Sequence, residues 1–196
     1  VLLKTMKPPV PTSASAPIHQ LFHHRLVDRP GRFPGGRYLR YYAGDATFQA
    51  VAAKRWRVNG VEYRSSLSTL AEQAARLLAP SSLAALPVVT AHGDDHHGNI
   101  WALVGHRGPT LRLFDPAFAA TDTPALLAPV KSTFHNALAH PFWLYHPDEA
   151  AGRFSIETSA GGEVVEVSDD ARLSGLRREV LDSAAEPVWA PLLSEL

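Results

Sequence analysis

The stretch His92-Gly93-Asp94-Asp95-His96-His97-Gly98-Asn99 decides how this chain is read. Two short apolar runs follow, residues 100–104 and 111–114, around the turn Gly105-His106-Arg107-Gly108-Pro109, and Asp115-Pro116 ends the second. Apolar runs of this length bounded by Gly and Pro predict two strands. Two strands of about five residues joined by a turn bring the chain back beside its start. The hairpin is therefore expected to return Asp115 to the end where Asp94 and Asn99 stand, so that the three side chains converge on one small volume.

That convergence has a chemical meaning. Asn99 and Asp115 offer hard oxygen ligands of the kind Mg²⁺ prefers. Asp94 remains free to accept a proton from an attacking hydroxyl or to orient it. A positioning carboxylate together with an Asn and an Asp on metal is the set that phosphoryl transfer requires. Asp and Asn are also ordinary turn residues, and a lone Gly-Asp pair would be read as a turn. The complete set, spaced as it is, favours the chemical reading.

At these residues the sequence resembles the aminoglycoside phosphotransferase and choline-kinase-like family, which has the protein-kinase-like fold. Five positions match that family's loop: His92, Gly93, Asp94, His96 and Asn99, with Asp115 two strands downstream. The Asp115-Pro116 pair is similar to the fructosamine-kinase-like branch. The match covers residues 85–120. The resemblance implies Asp94 as catalytic base, Asn99 and Asp115 as Mg²⁺ ligands, and His92, Gly93 and His96 as supports of the loop. It implies ATP as co-substrate and a small molecule bearing a hydroxyl or amine as acceptor. The fold class it implies is α+β and mainly helical, a kinase-like C-terminal lobe with short β-hairpins at the catalytic loop.

A kinase-like enzyme also needs a nucleotide lobe with a Gly-rich loop and a strand lysine. Gly31-Arg32-Phe33-Pro34-Gly35-Gly36 and Val51-Ala52-Ala53-Lys54 imitate these parts only superficially. Forty residues separate Lys54 from Asp94, too few for the helices, strands and hinge of that interval. Pro34 spoils the loop, and no strand precedes Gly31. Residues 1–6 read as chain leaving the hinge, and 1–196 as a single substrate-binding and catalytic lobe. The nucleotide lobe is expected to lie outside this chain. The sequence does not open on Met, in keeping with a fragment.

Composition sets the limits around this reading. Of 196 residues, 45% are hydrophobic and 19% charged, enough apolar material for a core. Lys plus Arg and Asp plus Glu are 19 each, so bulk charge suggests neither nucleic acid nor acidic lipid as partner. There is no cysteine, which excludes disulfides and thiolate sites and fits a cytoplasmic protein. No apolar run has the length of a membrane span. The first seventeen residues have no apolar core or cleavage site of a signal peptide.

Working outward, residues 7–17 are Pro- and Ser-rich and predict an extended tether. Ile18, Leu21, Phe22 and Leu26 fit one helical face. Residues 29–37 predict a loop. Trp56 to Tyr63 predicts a tight hairpin on Asn59-Gly60. A helix is predicted over 66–79, with Thr69 and Glu72 as a capping box and Pro80 as its stop. Further helices are predicted over 124–139 and 169–184, with a Gly-Gly hairpin over 155–167 between them.

Ten histidines invite metal readings. A dinuclear metal phosphohydrolase built on Asp94, Asp95, His96 and His97 is a rival, but neighbouring side chains on one loop point different ways. His19 and His23 could form half a zinc site; partly exposed histidines are the plainer reading. His135, His140 and His146 surround an aromatic run and are expected to pack. A non-catalytic kinase-like binding module is the other rival. Acceptor recognition would fall in 18–42, 56–80 and 124–150, where Tyr38, Tyr41, Tyr42, Trp56, Trp143 and Tyr145 line a pocket or fill a core.

Overall fold

The computed structural model describes residues 2–27, 36, 45–106, 108–139 and 146–196. The described chain is α+β, with helices and three small sheets mixed along it. Helix of every kind occupies less than half of the described residues, so the chain is less helical than the sequence predicts. No described helix is long and apolar enough to cross a membrane. The loop at 29–37, apart from Gly36, and Tyr38, Tyr41, Tyr42, His140, Trp143 and Tyr145 lie outside the described residues.

The chain forms two compact units, each assembled from separated stretches: Val1–His19, Pro80–His140 and Leu173–Leu196 in one, Gln20–Ala79 and Pro141–Arg172 in the other. Because each unit is discontinuous, no composition shift at a single position marks a boundary.

In the first unit, strand β3 (Val88–Ala91) pairs antiparallel with β6 (Ala120–Pro124), and β4 (Ile100–Gly105) pairs with β5 (Gly108–Leu113). Val88 and Val89 are fully buried. A cluster of Val89, Ala125, Ala128 and Leu192 forms the core, with Leu2, Met6 and Trp189 against it. Four closely packed small and aliphatic residues at one point tie three distant stretches of sequence together.

Residues 7–17 are not a free tether. Lys7 exchanges backbone hydrogen bonds with Val88 at 2.9 and 3.0 Å, and Pro11–Ser15 coil into a 3₁₀ turn. Ser13 and Ala16 are buried. Only the start is extended, and it is captured as an edge partner for β3. His19, also buried, makes a 2.9 Å hydrogen bond to the Ser13 carbonyl. His19 and His23 are thus buried rather than partly exposed. Among the described residues no three His, Asp or Glu side chains are grouped to hold a metal ion.

The helical stretch near residue 18 is a 3₁₀ turn, Pro17–Leu21, followed by α1 (His23–Leu26), with non-helical backbone at Phe22 between them. Ile18 and Leu21 are buried, as the apolar face predicts.

The second unit carries a four-stranded sheet in the order β2-β1-β8-β7, formed by β1 (Arg55–Val58), β2 (Val61–Tyr63), β7 (Ile156–Ser159) and β8 (Val164–Asp169). Strands β1 and β8 run parallel. Trp56 sits partly buried opposite Tyr63 and Val165, a packing position. Both hairpins occur where the sequence predicts them. Asn59 and Gly60 take φ of 50° and 82°, the pair of left-handed residues that a type I′ turn needs. A Cβ on Gly60 would meet nothing within 4 Å. Gly60→Ala is therefore expected to cost only the backbone strain, about 1 kcal/mol, measured as a shift of the denaturation midpoint.

The sequence predicts the helix over 66–79 well, but not its cap. Helix α2 is Ala46–Ala52 and α3 is Leu67–Leu77. Ser66, not Thr69, caps α3 by accepting a hydrogen bond from the Thr69 amide. Pro80 opens a new short helix, α4 (Pro80–Leu83), where a missing N–H costs nothing. Lys54 lies between α2 and β1 and donates to the Ala160 carbonyl at 2.7 Å.

The helix predicted over 124–139 begins later. Residues up to Pro124 belong to β6, and α5 spans Val130–Thr133 before widening into a π-turn, Phe134–Leu138. The remaining helices are α6 (Pro147–Arg153), α7 (Gly175–Ala184) and α8 (Ala190–Ser194), with a second π-turn, Ala185–Trp189, between the last two. Helix α7 starts after Ser174, whose hydroxyl accepts from the Arg177 amide, because residues to Asp169 continue β8.

Candidate active site

The loop between β3 and β4 is built on one glycine. Gly93 has φ of 81°, and a Cβ there would lie 2.6 Å from the Phe118 carbonyl oxygen and 2.9 Å from the Phe118 Cβ. Only a residue without a side chain allows the loop to pass so close to the buried Phe118. On one side of it, His92 Nε2 lies 2.9 Å from the Phe114 carbonyl oxygen. That contact makes Nε2 the donor and ties the loop to the residue before Asp115.

On the other side, Asp94 is buried and its backbone carbonyl accepts from Asn99 Nδ2 at 2.8 Å. A short 3₁₀ turn, His97–Asn99, leads into β4, with His96 Nδ1 accepting from the Gly98 amide. The hairpin then returns the chain to this end, as the sequence predicts. Ile100 lies opposite Leu113, and the Phe114 amide donates to the Asn99 carbonyl. Asn99 and Asp115 thus stand within one residue of each other's level at the same end of the ribbon. Asp115 is exposed and has φ of 55°. A non-glycine residue held left-handed stores strain of the kind found at functional positions.

A second segment holds this loop, and sequence reasoning missed it. Lys131 on α5 makes an ion pair with Asp94 Oδ1, the side chains being only 13% and 12% exposed. His135 stacks on His96 with ring centres 4.8 Å apart. Asn136 Oδ1 accepts from the His97 amide at 2.8 Å and lies 3.0 Å from its Nδ1. Residues 131, 135 and 136 therefore meet 94, 96 and 97 in order along the two segments. Positions four apart share a face of an α-helix, but positions five apart do not. The π-turn, closed by the 2.6 Å bond from the Ala139 amide to the Phe134 carbonyl, is what turns Asn136 toward the same loop. The available sequence signal was the set of polar residues Lys131, Ser132, Thr133, His135 and Asn136 inside a predicted helix.

The electrostatics of the cluster follow from burial. Burial pushes the Asp95 carboxyl above its ordinary range, against its own backbone hydrogen bond, His92 and Ser132. Burial lowers His96, with the Asp94 carboxylate opposing. Burial, then the Lys131 ammonium and His96, bring His135 down to about 4. Burial thus disfavours a positive charge on either stacked ring.

A pH dependence of stability follows for His135. Its proton affinity is lower folded than unfolded, so between about 6.5 and about 4 the unfolded chain binds the extra proton. Stability is present in full above that window and falls as pH drops through it. His135→Phe keeps a stacked ring and removes the proton. It is expected to flatten the loss of melting temperature between pH 7 and pH 4; an unchanged slope would count against this origin.

The other sequence candidates are more ordinary. His146 is an exposed side chain 3.8 Å from Glu149. Comparisons with family models, with curated proteins and with solved structures returned no match to this chain, and the chemistry of the site rests on its own residues.

Proposed function

We propose that this chain is the catalytic, substrate-binding lobe of an ATP-dependent small-molecule phosphotransferase, similar to the aminoglycoside phosphotransferase and choline-kinase-like family. The observation that carries the reading is the register that sets Asn99 beside the residue preceding Asp115, while the Asn99 amide holds the Asp94 carbonyl. Asn99 is then bonded to Asp94 through its side chain and to Phe114, the neighbour of Asp115, through its backbone carbonyl. The buried Asp94 carboxylate adds support, because a plain turn does not need a buried carboxylate.

The donor set fits Mg²⁺. Asn99 uses its amide N–H on Asp94, which leaves its Oδ1 as acceptor, and Asp115 adds an exposed carboxylate. One amide oxygen and one carboxylate, completed by water and phosphate oxygens, is the usual way of holding this ion. When bound, the metal would neutralise charge on the phosphates.

In the proposed reaction the acceptor hydroxyl attacks the γ-phosphorus of ATP. Asp94 receives the hydroxyl proton as the new O–P bond forms and the bond to the ADP oxygen breaks. Burial keeps water from competing at the carboxylate. His92 and Gly93 fix the loop, and His96 supports it through His135. The grip on adenine and phosphates belongs to a nucleotide lobe outside this chain, and the setting is cytoplasmic.

The test is ATP turnover across a panel of amino sugars, amino alcohols and ketosamines. It uses protein that includes whatever the gene encodes before Val1, with Asp94→Ala as control. Turnover that needs Asp94 supports the reading. Turnover indifferent to Asp94, or phosphatase activity without ATP, overturns it.

A further inference from the structure

We infer that Lys131 is a positioning residue for Asp94, fixing the carboxylate so that Oδ2 alone faces an acceptor. The inference rests on the phosphotransferase reading for its chemical purpose, but its geometry stands apart from it.

A carboxylate that accepts a proton must present one oxygen in a fixed direction. Asp94 has two equivalent oxygens and a rotatable side chain. Lys131 Nζ pairs with Oδ1, and His96 Nε2 lies 3.5 Å from the same atom. Both groups approach one oxygen, which leaves the other as the acceptor for a substrate proton. The pair is nearly excluded from water, where the attraction between opposite charges is screened less than on the surface. The backbone is fixed as well, since Asn99 holds the Asp94 carbonyl.

Lys131 is itself held. The segment that follows it is tied down twice: Trp189 Nε1 donates to Thr133 Oγ1, at the last residue of α5, at 2.9 Å, and Arg177 Nε donates to the Ala137 carbonyl in the π-turn at 3.0 Å. A second Arg177 contact, from Nη2, reaches the Ala139 carbonyl. The π-turn lets His135 and Asn136 grip the same loop that Lys131 reaches. A lysine so braced is an alignment device, since small displacements of a reacting group carry large rate penalties.

Lys131 acts through Asp94, so its removal should lower kcat and leave acceptor KM little changed. Two measurements test this. The first is NMR detection of the Lys131 ammonium protons, whose exchange slows when the group is held. A protected ammonium signal in the native protein, lost in Asp94→Asn, supports the inference. No protected signal, or one indifferent to Asp94→Asn, overturns it. The second is turnover of the acceptor found in the panel. Lys131→Gln is expected to lower kcat about 10²-fold, and Lys131→Arg to recover part of the loss by restoring a cation. Full kcat in Lys131→Gln overturns the inference. If the native protein transfers no phosphoryl group, the phosphotransferase reading fails, and the ammonium signal alone decides whether Lys131 positions Asp94.

Discussion

Gly93→Ala is expected to lower the unfolding free energy by about 3 kcal/mol, the sum of left-handed strain and a forced core displacement. The contacts explain the size. The new methyl would stand 2.6 Å from a backbone oxygen and 2.9 Å from a Cβ, and neither belongs to the flexible end of a side chain. Phe118 is buried, so it has little room to retreat. The alternative, rotating Gly93 out of φ 81°, would swing Asp94 and break its ties to Asn99 and Lys131. Chemical denaturation with an unchanged slope should show the loss as a lower midpoint. Gly60→Ala is the internal comparison, with the same backbone region but open space. Equal midpoint shifts for the two variants would show that the Phe118 contact contributes nothing.

Asp94→Asn is expected to reduce phosphoryl transfer by about 10²- to 10⁴-fold, the range that a general base supplies. The shape is nearly conserved, but the amide cannot take a proton. The substitution also leaves the Lys131 ammonium without its partner in a nearly buried position, a change that destabilises by itself. The double variant Asp94→Asn/Lys131→Met separates these effects. It should regain thermal stability relative to Asp94→Asn and remain inactive. Recovery of turnover in the double variant would show that Asp94 is not the base.

The parts of the fold that could be read in the sequence are those decided locally. Asn59-Gly60 and Gly161-Gly162 each force a turn, and both hairpins form around them. The two strands expected after Asn99 form, but they run further than expected, to Gly105 and from Gly108, so that Gly108-Pro109 belongs to β5 and not to the turn. Strand β6 could not be read, because Ala120-Thr121-Asp122-Thr123-Pro124 has neither alternation nor bulk. It is a strand because β3 needs a partner, and Thr123 is buried by that pairing. The same pairing explains why the helix predicted from 124 starts only at Val130.

The motif loop could be read in the sequence; its bracing could not. Lys131, His135 and Asn136 are at spacings that a regular helix would not bring to one loop. Their convergence depends on a π-turn, which tertiary packing rather than local propensity produces. Sequence reasoning assigned that segment to acceptor recognition and aromatic packing. In the structure, His135 packs against the loop itself.

The last stretch of the sequence has a practical consequence for anyone editing the gene. Residues 173–196 contain no motif, yet they supply Leu192 to the core, Trp189 to Thr133 and Arg177 to the end of the π-turn. A shortened protein lacking them would keep every residue of the motif and lose the footing beneath Lys131. Deletion mapping would then report a remote tail as indispensable. The cause would be mechanical continuity, running from the tail through α5 to the carboxylate.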